Sequence, residues 1–160
     1  MAIKILATGD IHIGKKSSGI NETREELATK HTWKRLVDYA IRNKIDVLAL
    51  SGDIVDKDNR YFEAIGPLQS GFEELKKAGI DVFMVAGNHD YDVLSDIAST
   101  RQYDNVHLLG EMGRWESKTY KKNGIEMQFV GWSFPSQHYR NDPFLTFNKD
   151  IIDHNLPVLG

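Results

Sequence analysis

Five residues give this chain its clearest chemistry: Asp10, His12, Asp53, Asn88 and His89, a mixed set of carboxylate, imidazole and amide groups. Oxygen and imidazole donors together suit Mn, Fe, Zn or Co better than the all-oxygen cages of Mg or Ca. A carboxylate can bridge two cations, and Asp53, on the middle of three candidate strands, is the natural bridge. Two ions about 3.5–4 Å apart can lower the pKa of a shared water and clamp a phosphate in line. His89 stands next to a ligand without being needed as one, so it could protonate or stabilise a departing oxygen. Asp56, three residues after Asp53, could hydrogen-bond His89 and hold its tautomer.

Such groups must be delivered by something rigid. Three apolar runs, Ala2 to Thr8, Asp46 to Leu50 and Asp81 to Ala86, read as buried strands. They stop at Gly9-Asp10, Ser51-Gly52-Asp53 and Gly87-Asn88-His89-Asp90, so each ends on one of the chemical motifs. Ligands of open parallel sheets bind at the carboxyl ends of the strands, and neighbouring strands lie only about 4.8 Å apart. Between the strands, Thr23 and Glu26 match a capping box ahead of a stripe from Leu27 to Ile41. A second helix is expected from about Arg60 to Lys77, stopping at Ala78-Gly79. Alternation of this kind predicts a mainly parallel sheet covered by helices.

After about residue 100 the pattern changes. Val106 to Leu109 reads as a short strand, and Trp115 to Tyr120 with Glu126 to Trp132 reads as a hairpin turning at Lys122-Asn123-Gly124. Asp142 to Asn155 reads as loop plus a short helix, and Leu156 to Gly160 as a last strand. No internal repeat or linker divides the chain, so one domain over residues 1–160 is expected.

Composition narrows the chemistry further. With no cysteine, disulfides and thiolate metal sites are excluded. A net charge of −3 is not that of a chain wrapping nucleic acid in a broad basic field, although a local patch can coexist with it. The apolar stretch from Ile3 to Ala7 is too short for a signal h-region or a membrane span, so a cytoplasmic protein with no membrane association is expected.

Any one of the three motifs alone is ordinary turn chemistry. Their joint occurrence, in order, each directly after an apolar strand, is not. Asp-x-His, then GDIVD, then GNHD resembles the calcineurin-like metallophosphoesterases over most of the chain from Ile3 to Asp90. Within that superfamily, GDIHIG with Gly14 after the His, the long polar loop before a helix, and GDIVD followed by a helix look most like the SbcD-type DNA repair exonucleases. The resemblance implies a four-layer α-β-β-α sandwich, of which this chain supplies the N-terminal part. It implies Asp10 and His12 on one metal, Asp53 bridging, Asn88 on the second metal, and His89 as the catalytic His. Two divalent ions, with Mn first and Fe or Zn as alternatives, are the implied cofactors. DNA is the implied substrate, and an SbcC-like ATP-driven coiled-coil partner and a homodimer are the implied assembly.

That family pattern also requires a His after a later strand and a Gly-His-x-His further on, and neither is found. His107 falls inside a strand, His138 in a loop after Pro135, His154 before the last strand, and His31 on a helix. We therefore expect the domain to be truncated at its C-terminal end. The leading reading is phosphodiester hydrolysis by a DNA exo- or endonuclease. Lys15, Lys16, Ser17 and Ser18 are candidates to contact phosphates and Tyr91 to stack on a base, against the plainer readings of a solvated loop and a packed aromatic. Alternatives are a phosphomonoesterase or cyclic-nucleotide phosphodiesterase of the same fold, and a non-catalytic scaffold.

Overall fold

In a computed structural model, which describes residues 2–15, 29–56, 64–99 and 103–160, the apolar runs line up side by side as a parallel sheet. Its strands are β1 (Ile5–Thr8), β2 (Val47–Ser51), β3 (Asp81–Val85) and β4 (Val106–Leu108), in the order β1-β2-β3-β4. Ile5 pairs with Val47, Val47 with Asp81, and Val82 with Val106, so the carboxyl ends of the strands finish at one level. Helices α1 (Thr29–Arg42), α2 (Ile65–Lys77) and α3 (Val93–Ser99) connect successive strands.

Strand side chains alternate between two cores, as the pleat requires. Leu48, Leu50, Val82 and Met84 face the helices and pack with Trp33, Val37, Leu68, Phe72 and Leu94. Val47 and Phe83 point the other way, against Tyr120, Met127 and Phe129 of a second sheet. That sheet holds β5 (Trp115–Lys122) antiparallel to β6 (Ile125–Trp132), with β7 (Val158–Leu159) parallel to β6. The hairpin turns through Asn123 (φ 53°) and Gly124 (φ 77°), both left-handed, as a tight Asn-Gly turn demands. The helix layer depends on one close approach: a Cβ on Gly71 of α2 would fall 2.3 Å from the Trp33 indole nitrogen of α1.

The result is a mixed α/β fold in layers, helices on a parallel sheet on a second sheet. The outer face of the second sheet is covered by residues 142–155, which form two 3-10 turns, Pro143–Thr146 and Lys149–Ile151, in place of the expected loop and helix. Ser117 Oγ and Gln128 Nε2 both donate to the Ile151 carbonyl, and Trp115 Nε1 donates to that of Pro143. The two sheets are tied by Asp46, at the foot of β2, whose carboxylate accepts from Lys122 of β5 at 2.8 Å and from the Lys4 amide at 2.7 Å.

Expected elements and observed ones agree to within a few residues. Besides the turns of residues 142–155, helix α3 is the exception, since the sequence led to no element there. It buries Val93, Leu94 and Ile97, a helical stripe too short to stand out. The capping box at Thr23 and Glu26, the loop residues Lys16, Ser17 and Ser18, and the start of the second helix near Arg60 lie outside the described residues. Among the described residues no helix is long and apolar enough to cross a membrane.

Candidate metal centre

Beyond the ends of β1 and β2 the backbone does not fray. It continues as two loops running side by side: the Asp10 amide donates to Gly52 O at 3.1 Å, His12 to Asp53 O at 3.0 Å, and Ile13 to Ile54 O at 2.7 Å. Alternation within the motifs explains their rigidity. In Asp10-Ile11-His12-Ile13 and Asp53-Ile54-Val55-Asp56, the apolar residues are buried in the helix-side core while the polar ones project from the strand ends. Each chemical residue is therefore bolted to its neighbour in the core.

The backbone at these positions is unusual. Asp10 (φ 54°), His12 (φ 49°) and Asp53 (φ 51°) all adopt the left-handed conformation, which for residues other than glycine costs of order 1–3 kcal/mol each. Asp and His tolerate it better than most side chains. Such strain persists only where the surrounding fold imposes it, and here it turns three side chains toward one point. Gly87 is a further requirement: a Cβ there would stand 2.1 Å from Asp53 Oδ1.

The side chains do converge. His12 Nε2 lies 3.5 Å from Asp10 Oδ1 and 4.0 Å from Asp53 Oδ2. On the other side of the ring, Asp56 Oδ1 lies 3.4 Å from His12 Nδ1 and 3.6 Å from His89 Nδ1, so one carboxylate faces both imidazoles. The two rings meet edge to face at 4.8 Å. Asp53 Oδ1 accepts the His89 amide at 3.1 Å, fixing the third loop to the second. Asn88 stands half-buried between Gly87 and His89, at the carboxyl end of β3.

Among the described residues, two sets of donors lie close enough together to hold a cation: Asp10, His12 and Asp53, and separately His12, Asp56 and His89. The first set fits a divalent ion on chemistry as well as distance. Two carboxylates face the imidazole Nε2, and Asp10 is largely exposed, free to turn toward an ion. The second set is built differently. His12 Nδ1 and His89 Nδ1 are buried, and neither contact to Asp56 reaches hydrogen-bond geometry. Those two nitrogens are poised for the Asp56 carboxylate, an arrangement that tightens when a ligand engages the opposite ring nitrogens.

Sequence reasoning assigned no role to Asp90, and the structure gives it one. Fully buried, it accepts from Ile54 N (2.6 Å) and Val55 N (3.1 Å) with one oxygen and from Gly87 N (2.7 Å) with the other. It thus clamps the second loop to the third. Burial pushes its carboxyl above the usual range, against the downward pull of the three amides. Other candidates fall away from the centre. Tyr91 packs against the helix-side core. His107 stands in β4, its ring tilted against Phe83 at 4.7 Å and flanked by Asp81 and Lys118. His138 and His154 are exposed, and His31 is half-buried on α1.

Comparison with known proteins follows the same lines. A family profile described as calcineurin-like phosphoesterase matches residues 3–156. The uncharacterized metallophosphoesterase YhaO of Bacillus subtilis is 25% identical over 84% of this chain and 34% of its own length. The DNA double-strand break repair protein Mre11 of Methanopyrus kandleri is 25% identical over 97% of this chain and 38% of its own. Among solved structures, a dimetal phosphatase from Danio rerio superposes with a TM-score of 0.52 at 20% identity, over 80% of this chain and 43% of that one, a likeness of fold. The chain thus spans between 34% and 38% of the length of these two curated relatives.

Proposed function

The chain belongs to the calcineurin-like phosphoesterase family, and on that footing we propose that it hydrolyses phosphodiesters of DNA at the centre formed by Asp10, His12, Asp53, Asn88 and His89. The observation that carries the reading is the convergence of three left-handed residues, Asp10, His12 and Asp53, with the Asp56–His89 pair at the ends of adjacent parallel strands. The relatives named as DNA double-strand break repair proteins support DNA as the substrate.

In this reading Asp10 and His12 would hold one divalent ion and Asn88 a second, with Asp53 placed to serve both. The mixed oxygen and nitrogen donors suit manganese, iron or zinc, and the family resemblance puts manganese first. When bound, the ions supply Lewis acidity and a water acidic enough to attack phosphorus at neutral pH. The chain's own residues do the rest. Asp53 couples ion binding to the catalytic loop, because the oxygen not facing His12 accepts the His89 amide. Asp56, whose Oδ1 lies 3.6 Å from His89 Nδ1, is placed to orient that ring, which leaves Nε2 to pass a proton to the departing oxygen. Ile11, Ile13, Ile54 and Val55 keep water from the base of the site. The whole protein's assembly as a homodimer with an SbcC-like ATPase belongs to the same proposal, supported by the resemblance of the three motifs.

Mn²⁺-dependent degradation of linear DNA, abolished by EDTA, is the test. His89→Ala should lower kcat by about 10²–10⁴-fold with cation binding, read by calorimetry, retained. Turnover surviving that change would remove His89 from its role. Hydrolysis of bis-p-nitrophenyl phosphate without DNA cleavage would move the substrate to small diesters. Cation binding with no hydrolysis of either would mark a scaffold.

A further inference from the structure

One loop beside the centre contributes none of the residues assigned to the ions. Residues 133–140 leave β6 at the same end of the molecule as the catalytic loops, and they are fixed there firmly. Ser133, 1% exposed, donates its hydroxyl to Leu109 O at 2.6 Å and accepts the Ala86 amide at 2.8 Å. Its own amide donates to Gly110 O, and the Phe134 amide donates to Ala86 O at 3.0 Å. Ala86 is the residue before Gly87-Asn88-His89. Phe134 is therefore hydrogen-bonded to a residue two positions from Asn88, within about 8 Å of backbone at 3.8 Å per residue.

What this loop displays is aromatic. Trp132, Phe134 and Tyr139 form a cluster in which the indole meets Phe134 at 5.1 Å and Tyr139 at 5.2 Å. All three are partly exposed, with the indole nitrogen of Trp132 buried, and Tyr91, the aromatic residue after His89-Asp90, is likewise partly buried but packs against the helix-side core. Two side chains of the same loop, His138 and Arg140, are exposed and can meet phosphates. A ring cluster on a loop hydrogen-bonded two residues before Asn88, with the exposed Arg140 on the same loop, is what a stacked base with its phosphate requires.

We propose that Trp132, Phe134 and Tyr139 form a stacking platform for a nucleobase next to the scissile phosphate, making this loop the base-recognising wall of the site. The placement of the substrate rests on the phosphoesterase reading above; the base recognition does not. A fluorescent oligothymidylate and an abasic deoxyribose-phosphate strand of equal length carry the same phosphates and differ only in rings. Binding of both to the full chain is measured by anisotropy in EDTA, so that base recognition is read apart from hydrolysis. The thymidylate strand should bind about tenfold more tightly, in line with stacking of one base. Phe134→Leu and Tyr139→Leu, which keep apolar bulk and remove a ring face, should each erode that preference and leave abasic binding unchanged. Tyr139→Phe should retain it. Tryptophan fluorescence of the unaltered protein should be quenched by the thymidylate strand alone. Equal affinity for the two strands, or a preference that survives both Leu variants, would overturn the platform. So would an absence of quenching, whether or not the variants fold. Base preference without any Mn²⁺-dependent hydrolysis would instead overturn the phosphoesterase reading and leave the platform standing.

Discussion

Asp90 and Gly87 set the shape of the centre without any call to touch an ion. Asp90→Ala would leave the amides of Ile54, Val55 and Gly87 buried without an acceptor. At about 1–3 kcal/mol for each, the loss should be at least about 3 kcal/mol, read from urea unfolding. A loss below about 1 kcal/mol would mean that the loops find other acceptors. Gly87→Ala puts a methyl on the Asp53 carboxylate, so Mn²⁺ affinity should fall at least about tenfold while the fold persists. Unchanged affinity by calorimetry would remove Asp53 from the ion. At this scale the sequence was legible where neighbours along the chain carry the information. Asp10 and Asp53 each sit between a glycine and a buried isoleucine, His12 between two buried isoleucines, and His89 two residues after Gly87, and that local pattern marks them. Asp90 was not legible as a clamp, because two of its three partners come from a loop 36 and 35 residues away.

Between elements, the clearest electrostatic contact is the Asp46 clasp across the sheets. The Lys122 ammonium, and behind it the Lys4 amide, hold the Asp46 carboxyl below its usual value. A carboxyl depressed in the folded state adds stability above its unfolded pKa of about 3.9 and loses it as pH falls through the folded value. Asp46→Asn should therefore cost about 1 kcal/mol at neutral pH, a figure already discounted for the half-exposed lysine. The difference from the unaltered protein should shrink below about pH 4. An unfolding series whose difference stays constant down to pH 2 would contradict the clasp. Strands and long helices were legible from apolar runs and their glycine stops. Helix α3 and the cover formed by residues 142–155 were not. Seven residues carry too little periodicity, and the cover is held by side chains reaching from the second sheet, such as Ser117 and Gln128.

For the molecule as a whole, the ordering of the strands matters as much as the site. β1 and β7 are each the terminal strand of their sheet, and a slot of about 150 Å³ opens between the sheets there, lined by Ala7, Ala49, Phe83, Phe129 and Leu159. Among the described residues neither of these outer edges pairs with a further strand, and such edges beside an apolar slot favour pairing with another chain. Sedimentation should show self-association that rises with concentration, and Val158→Lys, at an exposed position of β7, should reduce it. A strictly monomeric protein at all concentrations would contradict this. The layer order was legible because alternation switches from helical to strand period near residue 100; the open edge was not, since pairing order is a property of the assembled sheets. The Asp90 clamp has one more consequence, in the time domain. Amide protons of loops ordinarily exchange with solvent through small local openings, long before the core does. Here the amides of Ile54, Val55 and Gly87 are released only if a buried carboxylate lets go of two loops at once. In deuterium they should be among the last in the chain to be labelled, alongside the central strands, so that the catalytic loops report the global opening of the protein.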